Sequence, residues 1–303
     1  MWHTYPCSQG FCQNVVFLLS ESSPAGVSPT KGHVLSVSVV TFRSDEAMLA
    51  QTFSGLAAAC RRLRESRAGF VARVCLIDNG GDAAVLTAAQ KAFLEAGIEC
   101  NVLTGHGNIG YARGHNLSIL GADSNYHLVL NPDIDMASDA LEQALDFLDA
   151  HPQVGLLTPR IDDDGRAIQY LCRRYPTLFD LFARGFLPAR IRRLFSRRLA
   201  RYEMRDVIND HDVVWDPPIV SGCFMLFRTE VLKELSGFDP RYFLYFEDYD
   251  LSLRTHDVAR VAYVPSVSVI HHGGGASRKG FAHIRMFVAS AFKFYNRFGW
   301  RLW

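Results

Sequence analysis

Two carboxylates, Asp133 and Asp135, follow an apolar run and are separated by one residue, directly behind Asn131 and Pro132. In an extended backbone, residues i and i+2 point to the same side, so both carboxylates face one position. Like charges that are held together usually need a cation, and a hard divalent ion such as Mg²⁺ or Mn²⁺ takes oxygen ligands and bridges to a diphosphate. An isolated pair of this kind is more often a solvated turn that caps the next helix. The position directly after a strand favours the metal site.

Asp78 ends another apolar run and is followed by Asn79, two glycines and Asp82. A carboxylate at this point can accept a hydrogen bond from the imide N–H of a uracil or thymine base. The same residues also form an Asx turn without any ligand. Taken alone, the segment leaves both interpretations open.

Three acids, Glu247, Asp248 and Asp250, stand within four residues at the predicted start of a helix. The helix N-terminus stabilises carboxylates without any catalytic duty, and composition alone favours that explanation. A buried member of the cluster can instead act as a general base, because transfer to a hydroxyl requires removal of its proton as the new bond forms.

A segment of histidine and glycine, residues 271–275, follows an apolar run and precedes Arg278 and Lys279. Imidazole ligates metals, glycine-rich backbone approaches phosphate closely, and Arg278 with Lys279 can neutralise it. An ordinary solvated turn with a satisfied histidine explains the segment equally well in isolation.

A glycine pattern that runs from Gly105 to Gly110 matches G-x-G-x-x-G, follows a predicted strand and opens a predicted helix. This is the dinucleotide fingerprint, and it makes an NAD-dependent dehydrogenase the main alternative function. Two features count against that alternative. The match follows the third predicted strand rather than the first, and the later acids come as a pair rather than as a single ribose-binding carboxylate.

Short β-branched runs alternate with helix-like stretches from Val34 onward, which is typical of βαβ units and of an α/β fold with a mostly parallel sheet. Strands are predicted over 34–40, 71–77, 98–103, 126–130 and 154–157, with further candidates at 223–227 and 258–264. Helices are predicted near 46–66, 83–96, 112–121 and 138–149. Ligands of such sheets bind beyond the carboxyl ends of the strands, where Asp78 and Asp133 stand.

Bulk composition narrows the class of protein further. The formal net charge of +1 provides no global field for nucleic acid, so no nucleic-acid partner is expected. Seven scattered cysteines without zinc-like spacing indicate a reduced, cytoplasmic setting. No stretch approaches the roughly 20 apolar residues that span a bilayer, and residues 1–32 are predicted to be a poorly ordered leader.

Two basic, aromatic segments lie in the second half of the chain. Residues 184–205 hold eight arginines among apolar residues, and residues 281–303 combine Phe, Tyr and Trp with Arg and Lys. Such segments can lie on an anionic membrane surface, which predicts peripheral contact with the inner face of the cytoplasmic membrane. A solvated basic helix, or a helix packed on the core, has the same composition.

Taken in chain order, seven segments resemble family 2 glycosyltransferases, particularly the bacterial rhamnosyltransferase-like branch that builds O-antigen and other cell-surface polysaccharides. Any one of them is weak, but seven in order are specific, and the resemblance covers about 34–285. The matching segments are SVVTF at 38–42, IDNG at 77–80, NIGYARGHN at 108–116, LNPDID at 130–135, VSGCF at 220–224, GFD at 237–239 and FEDYDL at 246–251.

The resemblance implies a GT-A fold, a dTDP- or UDP-linked sugar donor, and inverting transfer to a hydroxyl of a saccharide acceptor that is lipid-linked. By motif position, Asp133 and Asp135 hold Mg²⁺ or Mn²⁺, and Asp248 deprotonates the acceptor. Asp78 reads the pyrimidine base, and His271 or His272 faces the donor phosphates. The expected donor-binding positions are Thr41, Asp78, Asn79, Asn108, Gly110, Arg113, Asn116, Asn131, His271, His272 and Arg278.

The same resemblance divides the chain into a nucleotide-sugar-binding half, 33–150, and an acceptor-binding and catalytic half, 151–303, which ends in an amphipathic helix. The sugar predicted from the branch is rhamnose. A non-catalytic nucleotide-sugar-binding protein that has kept the fold stands beside the dehydrogenase as a second alternative.

Overall fold

A nine-stranded mixed sheet runs through the part of the chain that the computed structural model describes, residues 33–273 and 280–303. The predicted leader 1–32 and the predicted phosphate contact Arg278 lie outside the described residues. The strands follow the order β3-β2-β1-β4-β8-β6-β9-β5, and β7 pairs with β9. Their bounds are β1 Val34–Thr41, β2 Val71–Asp78, β3 Glu99–Leu103, β4 Tyr126–Leu130, β5 Ile134–Met136, β6 Val154–Asp162, β7 Val214–Trp215, β8 Phe224–Arg228 and β9 Arg260–His271.

The first half of the sheet is parallel, as the alternation of strands and helices predicts. β2 and β4 pair with β1, β3 pairs with β2, and all three pairs are parallel. β6 and β9 form a fourth parallel pair, whereas β8 runs antiparallel to both β4 and β6, and β5 and β7 run antiparallel to β9. The α/β class is confirmed, and the antiparallel strands come chiefly from the less regular second half.

Helices cover both faces of the sheet. In the first half they are α1 Glu46–Ser66, α2 Ala83–Glu95, α3 Tyr111–Ile119 and α4 Ala140–Ala150. In the second half they are α5 Leu178–Phe186, α6 Ala189–Arg192, a 3₁₀ turn Arg193–Phe195, α7 Ser196–Tyr202, α8 Thr229–Glu234, α9 Glu247–Thr255 and α10 Phe281–Phe298. Within the described ranges no helix combines the length and the hydrophobicity that crossing a bilayer requires.

Two strands extend beyond their predicted ends. β6 continues to Asp162 and β9 to His271, because their parallel pairing resumes after a register shift at Pro159 and Arg160. β5, three residues long, is an element that the sequence does not predict. The extension of β9 is what carries His271 to the edge of the sheet where β4 ends.

Candidate active site

Three chain segments meet at the carboxyl edge of the parallel strands, the place where sheets of this kind form their ligand-binding cleft. Thr41 and Asp78 are paired across β1 and β2 at the ends of both strands. Beyond the end of β4, the backbone N–H of Asn131 donates to the carbonyl of Cys223, 2.9 Å away, just before β8. This edge is the position that the strand order predicts for a ligand.

Asp133 contacts an imidazole in this cleft. Its Oδ2 lies 3.5 Å from Nε2 of His271, and Oδ1 is buried with no hydrogen-bond partner among the described residues. Burial alone would raise the pKa of Asp133, but the hydrogen bond and charge of His271 outweigh it and hold that pKa below its usual value. A carboxylate that stays charged and keeps one unpaired oxygen is suited to bind a cation.

The two neighbouring histidines make different contacts. Nδ1 of His271 pairs with Oε1 of Gln169 at 3.0 Å, which aims Nε2 at Asp133. The imidazole of His272 turns instead to Asp164, while its backbone N–H donates to the carbonyl of Asp133 at 3.0 Å. The side chain that faces the Asp133 carboxylate is therefore that of His271.

Asp135 and Asp133 contact different residues. Oδ2 of Asp135 accepts from Nε2 of Gln51 on α1 at 2.9 Å, and the Asp135 side chain lines a cavity of about 110 Å³ together with Asp162 and Arg166. The two carboxylates diverge because Asp133 lies in the turn that precedes β5, so the alternation of an extended strand does not include it. Across the described ranges no three His, Cys, Asp or Glu side chains gather as a metal-binding group. The metal role of Asp135 stays a prediction.

Asp248 is held at the start of α9 by two backbone donors. The N–H of Gly222 lies 3.0 Å from Oδ2, and the N–H of Tyr249 lies 2.9 Å from Oδ1. Burial raises the pKa of Asp248 above its usual value. A carboxylate with fixed orientation and increased proton affinity has the properties of a general base.

Tyr111 connects the acid cluster to Asp133. Its hydroxyl donates to the carbonyl of Gly222 at 2.7 Å, and its pKa is raised first by burial and then by the charges of Glu247, Asp248 and Asp133. All three carboxylates thus act on one phenol, which places the acid cluster and Asp133 around the same cleft. Sequence reasoning did not single out Tyr111, although it lies inside the matching segment 108–116.

The other two acids of the cluster have different surroundings. Asp250 is fully buried and is paired with Arg254 at 2.6 Å and with Arg297 of α10 at 3.1 Å, so it ties α9 to the core. Glu247 is also buried, and its Oε2 has no partner in the described part of the chain. Burial, followed by the charge of Asp248, raises the pKa of Glu247 well above its usual value.

We expect Glu247→Gln to stabilise the protein at neutral pH by about 1–2 kcal/mol, because it removes a buried charge without a partner. Because the pKa of Glu247 is raised in the folded state, the folded protein binds the proton more tightly than the unfolded chain does. The free energy of unfolding therefore falls as the pH rises above 4.5, the pKa of this carboxyl group in the unfolded chain. Thermal unfolding at pH 8 should show the gain, and the gain should shrink toward pH 4. An equal gain at both pH values would contradict this cause.

Asp78 forms the Asx turn that its sequence allows. Its Oδ1 accepts from the N–H of Gly80 at 2.7 Å and from that of Asp82 at 3.2 Å. Asn79 donates through Nδ2 to the carbonyl of Gly110 at 3.2 Å, which joins the β2 turn to the loop before α3, and its Oδ1 is unpaired within the described ranges. Buried Thr41 donates to the carbonyl of Ile77 at 3.4 Å. Base recognition by Asp78 stays a prediction.

Gly110, the last glycine of the pattern before α3, allows close backbone packing, whereas a Cβ at Gly105 or Gly107 would meet no described atom within 4 Å. Asn108 accepts from the N–H of Gly110 at 3.1 Å, and the next N–H, that of Tyr111, donates to the carbonyl of Phe243 at 2.9 Å. Gly110 has a φ of +87°, and a Cβ there would lie 2.4 Å from the Phe243 carbonyl oxygen. The exposed Arg113 reaches Pro240 through Nε at 2.8 Å.

Asn116 is engaged with protein backbone rather than with open space. Its Nδ2 donates to the carbonyl of Phe238 at 2.7 Å, and its Oδ1 accepts from the N–H of the same residue at 2.9 Å. The side chain is buried and holds α3 against the turn before α9. Both polar atoms of the Asn116 side chain are therefore occupied, and neither is free to bind the donor as the sequence predicts.

Asn116→Ala is expected to lower the free energy of unfolding by about 2–4 kcal/mol, because both backbone groups of Phe238 lose a buried partner. The KM for the donor should change little in the protein that remains folded. Denaturant unfolding and steady-state kinetics separate the two effects, with Asn101→Ala, at an exposed position of β3, as the control. A normal unfolding curve with a raised KM would show that Asn116 binds the donor after all.

Comparison with known proteins gives the following matches. The sequence model of the family described as "Glycosyl transferase family 2" matches residues 36–236. The N-acetylglucosaminyl-diphospho-decaprenol L-rhamnosyltransferase of Mycobacterium tuberculosis is 28% identical over 214 residues, which are 66% of this chain and 66% of that protein. Rhamnosyltransferase WbbL of Escherichia coli K12 is 28% identical over 199 residues, which are 62% of this chain and 71% of that protein. The chain thus spans about two thirds of the length of these relatives.

Solved structures share the fold at low sequence identity. A mannosyltransferase from Pyrobaculum calidifontis, in complex with GDP-Man and Mn²⁺, has a TM-score of 0.55 and 16% identity over 89% of this chain and 68% of that one. Staphylococcus aureus TarS 1–349, in complex with UDP-GlcNAc, has a TM-score of 0.54 and 16% identity over 86% of this chain and 66% of that one. The predicted GT-A fold is confirmed by these likenesses.

Proposed function

Since the chain belongs to glycosyl transferase family 2, we propose that it moves rhamnose from a dTDP- or UDP-linked donor to a hydroxyl of a lipid-linked saccharide, with inversion, in the synthesis of a cell-surface polysaccharide. Two relatives named as rhamnosyltransferases support the sugar, and the name of the mycobacterial one supports the acceptor class. The observation that carries the proposal is that Asp133, which faces His271, and Asp248 both lie near Tyr111, where burial and then their charges raise the pKa of its hydroxyl.

A divalent cation, Mg²⁺ or Mn²⁺, fits the residues on one side of the cleft. The buried, unpaired Oδ1 of Asp133 is the ligand type that both ions prefer, and Nε2 of His271 is an imidazole nitrogen, which favours Mn²⁺ over Mg²⁺. Two protein ligands suffice where a diphosphate and water complete the coordination, which is the usual arrangement for these ions. A cation bound there would offset the negative charge that develops on the leaving diphosphate.

Asp248 supplies the base in the proposed transfer. The acceptor oxygen forms a bond to the anomeric carbon while the bond from that carbon to the diphosphate oxygen breaks, and the acceptor proton passes to the Asp248 carboxylate. The backbone N–H groups of Gly222 and Tyr249 orient that carboxylate throughout. Attack from the side opposite the diphosphate inverts the anomeric carbon, which requires the base to lie across the cleft from Asp133.

The donor nucleotide lies, in this proposal, along the edge formed by β1, β2 and β4. Asp78 and the unpaired Oδ1 of Asn79 are candidates to contact the base. Thr41 and Asn131 line the same edge, and Asn108, Gly110 and Arg113 belong to the loop beside it. His271 would reach the diphosphate through the bound cation, and Arg278 is proposed to contact it directly; His272 would contribute through its backbone and Asn116 by holding α3 in place.

A donor assay tests the proposal. Purified protein is incubated with dTDP-rhamnose, UDP-N-acetylglucosamine or GDP-mannose, a short-chain lipid diphosphate saccharide as acceptor, and Mn²⁺, Mg²⁺ or EDTA. We expect transfer from a dTDP- or UDP-sugar that EDTA abolishes. Donor binding without turnover would support the non-catalytic alternative. Binding of NAD without binding of any nucleotide sugar would support the dehydrogenase built on Gly105 to Gly110.

A further inference from the structure

A groove of about 210 Å³ between α5 and α10 is lined by large apolar side chains that solvent reaches. Phe182 and Phe186 on α5 are 51% and 53% exposed, and Val288 and Phe292 on α10 are both 57% exposed. Trp300 closes the groove at 47% exposure and contacts Phe292, with ring centroids 5.5 Å apart. Contiguous exposed apolar surface of this kind marks a site where a protein meets a partner or a membrane.

Exposed arginines follow α5 directly in the chain, on α6, the 3₁₀ turn and α7, and α7 packs on α5. Arg190, Arg192, Arg193 and Arg197 are exposed, and none forms a salt bridge with any described residue. Ile191 and Leu194 stand exposed between them. The sequence contains no acidic residue from 181 to 202 or from 258 to 303, so local acids do not neutralise this charge.

One aromatic cluster joins this surface to the acid cluster of the cleft. Phe294 of α10 is fully buried and packs on Phe246 and Tyr249, with ring centroids 5.2 Å and 6.0 Å apart. These two residues flank Asp248 at positions −2 and +1. Phe287 of α10 lines the groove and also packs on Phe246 with ring centroids 5.1 Å apart, so packed aromatic side chains connect the groove to the helix that carries the candidate base.

We propose that the docking face, defined as Phe182, Phe186, Val288, Phe292 and Trp300 with Arg190, Arg192, Arg193 and Arg197, binds the surface of an anionic lipid bilayer. The aromatic and aliphatic side chains enter the headgroup region while the arginines contact lipid phosphates. The proposal does not depend on which sugar is transferred. It deepens the proposed function only by placing the lipid-linked acceptor in the membrane beside α10.

A second copy of the chain fits this face less well than a bilayer does. In a symmetric dimer the same patch meets itself, so a partner for the four arginines would have to come from within the patch and its surroundings. The acid-free segments around them provide no compensating partner. Anionic lipid headgroups offer both the opposite charge and an apolar layer behind it.

Vesicle binding tests the proposal with the full chain and no donor. We expect sedimentation with vesicles of phosphatidylcholine and about 30% phosphatidylglycerol, weakened by high salt, and little sedimentation with phosphatidylcholine alone. Phe182→Ser/Phe292→Ser and Arg190→Gln/Arg193→Gln/Arg197→Gln should each lower the partition coefficient at least about tenfold. The matched controls Leu94→Ser/Leu120→Ser and Arg61→Gln/Lys91→Gln/Lys233→Gln, on exposed helix positions elsewhere, should bind as the original protein does.

Three results that need no transfer assay would each overturn the proposal. The first is that the protein binds neutral vesicles as strongly as anionic ones. The second is that both docking-face variants, with an unchanged unfolding temperature, bind anionic vesicles as strongly as their control variants do. The third is a dimer in light scattering that the Phe182→Ser/Phe292→Ser variant converts to a monomer, because a second copy would then occupy the face.

Transfer assays keep this proposal separate from the proposed function. Docking-face variants should transfer to a short-chain, water-soluble acceptor at the original rate and lose rate only on an acceptor embedded in vesicles. Vesicle binding without any transfer would remove the proposed function and leave the docking face. Transfer at equal rates on embedded acceptor by the variants and their controls would remove the docking face and leave the function.

Discussion

Replacing Asp248 with asparagine is expected to lower kcat by about 10²–10⁴-fold while leaving the Kd of the donor nearly unchanged. The amide keeps the shape of the side chain and can still accept from the N–H of Gly222 or Tyr249, but it cannot take a proton from the acceptor hydroxyl. Donor binding is expected to persist because the substitution leaves in place Asp133 and His271, the residues proposed to hold the diphosphate through a cation. Steady-state kinetics and calorimetric donor titration measure the two quantities.

Neighbouring acids provide controls for this substitution. Asp250→Asn removes the partner of Arg254 and Arg297, so it should lower the unfolding temperature while folded protein keeps its rate. In the original protein, kcat should rise with pH through the pKa of Asp248, which burial places above its usual 3.8. An Asp248→Asn variant that retains more than about a tenth of the rate would contradict the assignment of the base.

Asp133→Ala is expected to remove the metal-dependent part of donor binding, which we put at about 100-fold or more in Kd. The substitution deletes both the oxygen that is buried without a partner and the oxygen that faces His271. Gln169→Ala should weaken the same binding by roughly 10–100-fold, because Gln169 orients the His271 ring, as outer partners of metal-binding histidines do. Donor titration with Mn²⁺ and with EDTA measures both effects.

Asp164→Ala is the matched control for these variants. It removes the contact of the His272 ring and leaves His271 and Asp133 in place. Donor binding in Mn²⁺ should therefore stay close to that of the original chain. If Asp164→Ala loses as much affinity as Asp133→Ala, the metal and diphosphate lie nearer His272 than the proposal allows.

The parallel half of the fold is predictable from sequence because its strands carry strong local signals. β1 is apolar and largely β-branched apart from Ser36, Ser38 and Thr41, and it is buried from Leu35 onward. Asp78 follows three apolar residues at the end of β2. Those two strands also set the position of Thr41 beside Asp78. The residues of the candidate site consequently lie at the carboxyl edge of the parallel strands, which is the edge that the sequence predicts.

The divergence of Asp133 and Asp135 was beyond sequence reasoning. Spacing of i and i+2 orients two side chains alike only where both residues are extended, and Asp133 belongs to a turn. β5 is too short to give a periodic signal, and its pairing partner is β9, more than a hundred residues later in the chain. Tertiary pairing therefore decides which way each carboxylate faces.

The choice between His271 and His272 is likewise a tertiary effect. Adjacent residues of a strand point to opposite sides, so only one of the two rings is expected to face the cleft. The neighbouring residues in the sequence do not indicate which one. Gln169 and Asp164, which contact the two rings, lie 102 and 108 residues away. No local pattern connects them to the histidines.

The most direct test of the account is a crystal structure of the Asp248→Asn variant with a dTDP- or UDP-sugar and Mn²⁺. We expect the ion to lie between Asp133, His271 and the diphosphate, and the anomeric carbon to lie between the diphosphate and residue 248. A nucleotide bound along Gly105 to Gly110, with its diphosphate away from Asp133, would contradict it.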